Sequence, residues 1–230
     1  DSAPSRVVVD YRGLTNPKCR LLLGNEYSIL RPEFAASRRR SIARHRKKID
    51  RILVAPGATD ASQIAIPILQ ALSKIRSDGH SFAVTVILSS VSKSCAAVRE
   101  FLAEEPQNWK LLVDRYDVAE ILSKTDLAIG TMGSASWERA CLGIPSIAVV
   151  VADNQLTNSQ DFEASGGAIA ITLDGEIQAR VSELVRGILR TPKCLNEMSE
   201  SVAKLCDGKG SARIADAVEA FICNRKVRND

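Results

Sequence analysis

Histidine is nearly absent from this chain of 230 residues, which holds only His45 and His80. Neither stands in zinc-ligand spacing, so a histidine-rich metal site is not expected. The six cysteines (Cys19, Cys95, Cys141, Cys194, Cys206, Cys223) form no C-x-x-C pair. Scattered thiols in a chain of this size fit a reduced, cytoplasmic protein better than a disulfide framework. Long apolar runs are lacking as well: the longest, at residues 146–152, falls far short of the roughly 20 residues a membrane span needs. The first ten residues lack the cationic start and apolar centre of a secretory signal. No membrane or export role is therefore expected. Charge of one sign is also scarce, with 31 Lys and Arg against 27 Asp and Glu, a net charge of +4. That excess is too mild to argue nucleic-acid binding. The basic clusters at residues 38–40 and 44–48 then read as solvated surface.

Two catalytic signatures are missing. There is no G-x-x-x-x-G-K-[ST] phosphate loop; Gly208-Lys209-Gly210-Ser211 has neither its spacing nor a preceding strand, and reads as a turn and cap. No G-x-S-x-G elbow occurs, and no histidine follows Ser134 or Ser136, which argues against a serine hydrolase triad.

What is present is ordinary globular composition, 45% apolar and 25% charged, in a strict rhythm from Arg51 onward. Short β-type runs fall at residues 51–55, 82–88, 110–113, 126–130, 146–151 and 168–172. Helix-period segments separate them, near residues 64–75, 92–103, 117–124, 134–142 and 155–165. Pro67 either kinks the first of these or marks its start. An amphipathic stripe through Ile177, Val181, Leu184, Val185 and Ile188 follows, then helices near 193–206 and 211–224. Regular alternation predicts an α/β fold, a doubly wound, Rossmann-like parallel sheet over residues 51–230. Residues 1–50 stand outside the rhythm and read as a leader or connector, with strands at 7–9 and 20–23 and a basic segment.

In such a sheet, ligands bind where the strands end. Two small-residue turns sit there: Gly57-Ala58-Thr59-Asp60, and Gly130-Thr131-Met132-Gly133-Ser134-Ala135-Ser136. Small residues let backbone approach a ligand, and free N–H groups favour a phosphate. The hydroxyls of Ser134 and Ser136 fit donors to that anion or plain helix caps. Glu138 lies about one helical turn past Ser134. A carboxylate there suits vicinal ribose hydroxyls next to a bound phosphate, or is simply a solvated helix glutamate. Asn154 and Gln155 end the most apolar strand. Their amides can read sugar hydroxyls or acetamido groups, and Asn154 equally fits an N-cap.

Residues 126–145 (DLAIGTMGSASWERACLGIP), continuing to Ala152-Asp-Asn-Gln155, resemble the nucleotide-binding half of UDP-sugar enzymes of the GT-B fold. Residues 208–217 (GKGSARIADA) are similar to the closing segment of the same half. Asp10-Tyr-Arg-Gly-Leu14 and residues 21–34 (LLLGNEYSILRPEF) resemble the pseudaminic-acid pathway hydrolases. Those act on UDP-2,4-diacetamido-2,4,6-trideoxy-β-L-altropyranose, and their relatives include spore-coat polysaccharide proteins.

The resemblance implies the C-terminal domain of a GT-B enzyme whose water attacks the anomeric carbon as UDP leaves. The turn at Gly57, Ala58, Thr59 and Asp60 matches a Gly-Gly-Thr-Asp loop, with Ala58 replacing the second glycine. Gly133 and Ser134 would meet the pyrophosphate, Glu138 the ribose, Asn154 and Gln155 the sugar, and residues 113–116 the uracil. No metal or other cofactor is implied. The catalytic base is expected from an N-terminal domain outside this chain, since neither histidine matches the family's motif. A GT-B glycosyltransferase and a non-catalytic sugar-nucleotide module are the alternatives.

Overall fold

A computed structural model describes residues 11, 13–173 and 175–226. The expected strand at 7–9, together with Asp10 and Arg12 of the first resemblance motif, lies outside them. Six strands, β1 (Arg51–Ala55), β2 (Ala83–Leu88), β3 (Trp109–Val113), β4 (Leu127–Thr131), β5 (Ser146–Val150) and β6 (Ala168–Thr172), form one sheet in the order β3-β2-β1-β4-β5-β6. Every pairing is parallel. The sheet starts in the middle, builds outward to β3, then crosses back and builds outward to β6. This is the doubly wound order that creates a crevice between the first and fourth strands.

The interior strands read as continuous apolar runs because both faces are covered. β5 is buried at every residue, whereas edge strand β3 is mostly half-exposed. On one face α2 (Ala65–Ser77) and α7 (Ile177–Arg190) pack together. Ile68, Leu72 and Ile75 of α2, and Val181, Val185 and Ile188 of α7, are buried there. Pro67 falls in the first turn of α2. A proline there removes only an N–H that has no intrahelical acceptor, so the helix begins beside it rather than kinking. α3 (Cys95–Ala103) lies beside β3. The opposite core gathers Trp137, Ala140 and Cys141 of α5 (Ala135–Cys141) with Leu122 of α4 (Val118–Ser123) and Phe162 of α6 (Leu156–Ala164). Trp137 meets Phe162 edge-on, 5.0 Å between ring centroids. α8 (Cys194–Ala203) and α9 (Gly210–Lys226) close the chain.

The leader departs from expectation. Residues 20–23 form no strand; a 3₁₀ turn (Asn25–Tyr27) and α1 (Pro32–Ile42) follow instead. Pro32 pre-sets the first helical turn. With a buried Phe34, α1 packs on α4, α5 and α8.

Nor is the basic segment a simple solvated surface. Arg38 donates to the carbonyls of Cys141, Ala203 and Cys206, so one guanidinium satisfies the ends of α5 and α8. Arg44 donates to Ser123, Thr125 and the buried Asp126. Arg46 is buried and donates to Ser199 Oγ. Burial lowers the Arg46 guanidinium to about 10. Arg39, Lys47 and Lys48 do remain exposed.

The two resemblance stretches near the ends of the chain touch each other. Asn25 Nδ2 donates to Leu205 O, and Arg213 donates to Glu26 O. Ser211 Oγ donates to Leu30 O, so Ser211 ties the leader down instead of capping α9. Gly210 must be glycine because a Cβ would run into the backbone of Tyr27 and Ser28. Among the described residues no helix is long and apolar enough to cross a membrane.

Candidate functional site

The switch point lies between β1 and β4, and both small-residue turns stand there. Ala55 at the end of β1 pairs with Gly130 near the end of β4. Gly130 has no alternative, because a Cβ would collide with the Ala55 carbonyl. After β1 the chain turns at Gly57 in a left-handed conformation (φ 95°), beside Thr131. Gly57, Ala58 and Thr59 are exposed. Ala58 has no positive φ, so alanine costs no backbone strain in the place of the second glycine.

Asp60 is the anchor of this turn. It is 2% exposed and left-handed (φ 47°), and its carboxylate accepts the N–H groups of Ile64 and Ala65. Burial pushes its pKa up, against hydrogen bonds from Ser94 and these two amides. The start of α2 is thereby occupied by the chain's own carboxylate. Gln63 and Asp114 are the other non-glycine residues with positive φ among those described, and Asp114 also follows a strand end. Ser89 N–H donates to Ala58 O, Ser92 Oγ to Thr59 O, and Ser90 N–H to Asp114 Oδ1. The loops after β1, β2 and β3 thus brace one another. Hydrogen bonding from Ser90 holds Asp114 below the usual carboxylate range.

The turn after β4 is left open. No side chain caps α5: the N–H groups of Ser136 and Trp137 donate to the carbonyls of Gly133 and Ser134, while those of Gly133, Ser134 and Ala135 have no partner among the described residues. Ser136 Oγ is turned to Gly133 O at 2.6 Å and is buried, whereas Ser134 is exposed. A Cβ at Gly133 would meet nothing within 4 Å, and Gly133 has no positive φ. Neither packing nor backbone strain inside the chain demands a glycine there.

Glu138 is half-buried rather than solvated. Burial raises its pKa; the charges of Arg31 and Arg139 oppose that, and Glu33 reinforces it. The neighbouring Arg139 is buried, donates to Thr131 O at 2.8 Å, and has a buried Nε with no partner among the described residues. Burial brings this guanidinium down to about 10. Sequence reasoning did not find Arg139, and a lone arginine in an amphipathic helix gives no signal of burial.

Asn154 and Gln155 stand at the end of β5 in a 3₁₀ turn (Asp153–Gln155). Asn154 is exposed and does not cap; the residue preceding that turn is Ala152. Gln155 Oε1 accepts from Val151 N–H, and its Nε2 has no partner among the described residues. The two histidines lie elsewhere. His80 precedes β2 and exposed His45 precedes β1, both at the amino edge of the sheet and opposite the crevice. Among the described residues no three His, Cys, Asp or Glu side chains gather as a metal site requires.

The carboxyl edge is thus one face holding Gly57, Ala58, Thr59, Gly133, Ser134, Glu138, Asn154 and Gln155, braced from below by Asp60, Ser92 and Arg139. It offers the unpartnered N–H groups of Gly133, Ser134 and Ala135, the half-buried Glu138 carboxylate and two amides.

No family model matches this chain. It is similar to the spore coat polysaccharide biosynthesis protein SpsG of Bacillus subtilis (strain 168), 27% identical over 198 residues, covering 85% of this chain and 57% of that protein. Among solved structures it is similar to MurG of Acinetobacter baumannii (TM-score 0.61, 18% identity, 81% of this chain and 55% of that one). It is also similar to S. aureus MnaA solved with UDP (TM-score 0.59, 15% identity, 76% and 46%). The chain spans a little over half the length of SpsG and of MurG. The fold is the Rossmann-like α/β fold of the GT-B glycosyltransferases.

Proposed function

We propose that this chain is the nucleotide-binding half of a UDP-sugar hydrolase. It would release UDP from a 2,4-diacetamido-2,4,6-trideoxyhexose in nonulosonic-acid, pseudaminic-type polysaccharide biosynthesis. The observation that carries this reading is the convergence, at one switch point, of the unpartnered N–H groups of Gly133, Ser134 and Ala135 with the half-buried Glu138 carboxylate in the following helix. Backbone N–H groups of Gly133 and Ser134 would meet the pyrophosphate, with the exposed Gly57-Ala58-Thr59 turn beside it. Glu138 would accept hydrogen bonds from the ribose hydroxyls, and Asn154 and Gln155 would read the acetamido groups. Residues 113–116 would flank the uracil through backbone groups. SpsG's role in spore coat polysaccharide biosynthesis and the UDP in the MnaA structure agree with this assignment.

In the reaction, water attacks the anomeric carbon, the C1–O bond breaks, and UDP leaves with the electron pair. This half stabilises the charge developing on the diphosphate with fixed N–H donors, which need no reorganisation as the charge grows. The base that takes the proton from water comes from a companion N-terminal domain. Large apolar residues stay exposed along the carboxyl edge after four strands: Val91, Tyr116, Leu156 and Leu173. A companion domain closing over the crevice would cover them.

The test is calorimetric titration of UDP into this chain. Micromolar binding, about 8 kcal/mol, is expected. Glu138→Ala should weaken it tenfold or more, on the order of one charge-assisted hydrogen-bonded pair. Absence of UDP binding to the full-length protein would defeat the reading. A glycosyltransferase is the second reading, favoured by the likeness to WaaG, a glycosyltransferase involved in lipopolysaccharide biosynthesis. Incubating the full-length protein with the UDP-sugar and no acceptor separates them, because only the hydrolase then yields free sugar.

A further inference from the structure

One side chain reaches a loop of the site from 85 residues away in the sequence. Arg31, at the N-cap position of α1, donates from Nη1 to the Tyr116 carbonyl at 3.0 Å, in the loop after β3. The same guanidinium pairs with Glu33 at 2.9 Å and lies over the Phe34 ring, 5.4 Å from its centroid. Phe34 is wholly buried, so this cation–π contact rests on a fixed platform. Arg31 is also the leading favourable charge at Glu138, ahead of Arg139.

We propose that Arg31 is a positioning residue of the nucleotide site: it fixes the backbone of the loop at 114–117 against α1 and presents its charge to the Glu138 carboxylate. The uracil-side loop and the ribose-side carboxylate are thereby set relative to each other before ligand arrives. The inference rests on the nucleotide-site reading above and extends it to a residue outside the crevice turns. Arg31 acts through Tyr116 and Glu138, not on the diphosphate.

The consequence for pH follows from the groups around Glu138. Burial pushes its pKa up, Arg31 and Arg139 pull it down, and Glu33 adds to the upward push. Glu138 binds ribose hydroxyls best when ionised. UDP affinity therefore falls as pH drops through the Glu138 midpoint. With Arg31 removed, Arg139 alone opposes burial, so that midpoint moves to higher pH.

The experiment uses the whole chain in three forms, wild type, Arg31→Ala and Arg31→Lys. The Glu138 side-chain carboxyl is followed by NMR across about pH 4 to 8, alongside calorimetry with UDP and with inorganic pyrophosphate. In Arg31→Ala the Glu138 midpoint should rise, and UDP affinity at neutral pH should fall on the order of tenfold. Pyrophosphate affinity should not change. Arg31→Lys should restore the midpoint but only part of the UDP affinity, because an ammonium cannot reproduce the planar contact with both Tyr116 and Phe34. An unmoved Glu138 midpoint overturns the proposal, and so does an equal loss of pyrophosphate affinity, which would make Arg31 a direct anion ligand. If UDP binds neither wild type nor the full-length protein, the nucleotide reading fails separately. The midpoint then still decides for or against Arg31.

Discussion

Gly130 and Gly133 are three residues apart, and packing demands a glycine only at the first. At Gly130 a Cβ would strike the Ala55 carbonyl across the β1–β4 pairing. Gly130→Ala should therefore destabilise the fold by about 2–3 kcal/mol, as overpacking in a rigid core does. At Gly133 a Cβ would project into open space. Gly133→Ala should shift thermal stability by less than about 1 kcal/mol, yet weaken UDP binding by blocking close backbone approach. Thermal unfolding together with UDP calorimetry on both variants checks the pair. A stable Gly130→Ala, or a Gly133→Ala that binds UDP normally, would contradict this division.

Residue identity alone showed both glycines as turn candidates but not which was structural, because that depends on the strand lying opposite. Glu138 was legible as a candidate from its spacing to Ser134. Its half-burial was not, nor were the Arg31 and Glu33 charges that act on it from a segment over a hundred positions upstream. Arg139 and Asp60 show the same limit from the other side. Each is a charged residue whose burial rests on carbonyl or amide partners that only the folded backbone supplies.

Among the elements, strands were the most legible and the leader helix the least. Five-residue apolar runs bounded by Gly, Pro and Asp fix a buried parallel strand with little ambiguity, and each interior run became one. Residues 38–48 misled because a run of arginines looks solvated in sequence, whatever its guanidinium groups find. Arg38 finds three carbonyl groups at the ends of α5 and α8. Arg38→Ala should cost about 3 kcal/mol, several charge-assisted hydrogen bonds to otherwise unpaired carbonyls. Arg38→Lys should recover little of this, since an ammonium lacks the fork that spans three acceptors. Chemical denaturation of both variants measures it; a loss below about 1 kcal/mol would mean that water replaces the arginine.

For the whole molecule, the joint between residues 21–34 and the start of α9 is sensitive to acid. Asp207 pairs with Arg213, which also holds the Glu26 carbonyl. The hydrogen bonds from Arg213 pull the Asp207 pKa down to about 2. A carboxylate held lower in the folded state than in the unfolded chain adds stability above its unfolded pKa, about 4. That contribution is lost as pH falls from there through about 2. Wild type should therefore melt above Asp207→Asn at neutral pH, with the gap closing as pH approaches about 2. A gap independent of pH would show that the side chain acts through packing alone.

That same joint imposes an order on synthesis. Asn25 waits for Leu205, a partner 180 positions later in the chain. At ordinary elongation rates the ribosome needs roughly ten to forty seconds to supply it. Through that interval Leu30 and Phe34 lack the helices that later bury them, so the nascent chain carries an exposed apolar stretch until the last third of this sequence has emerged.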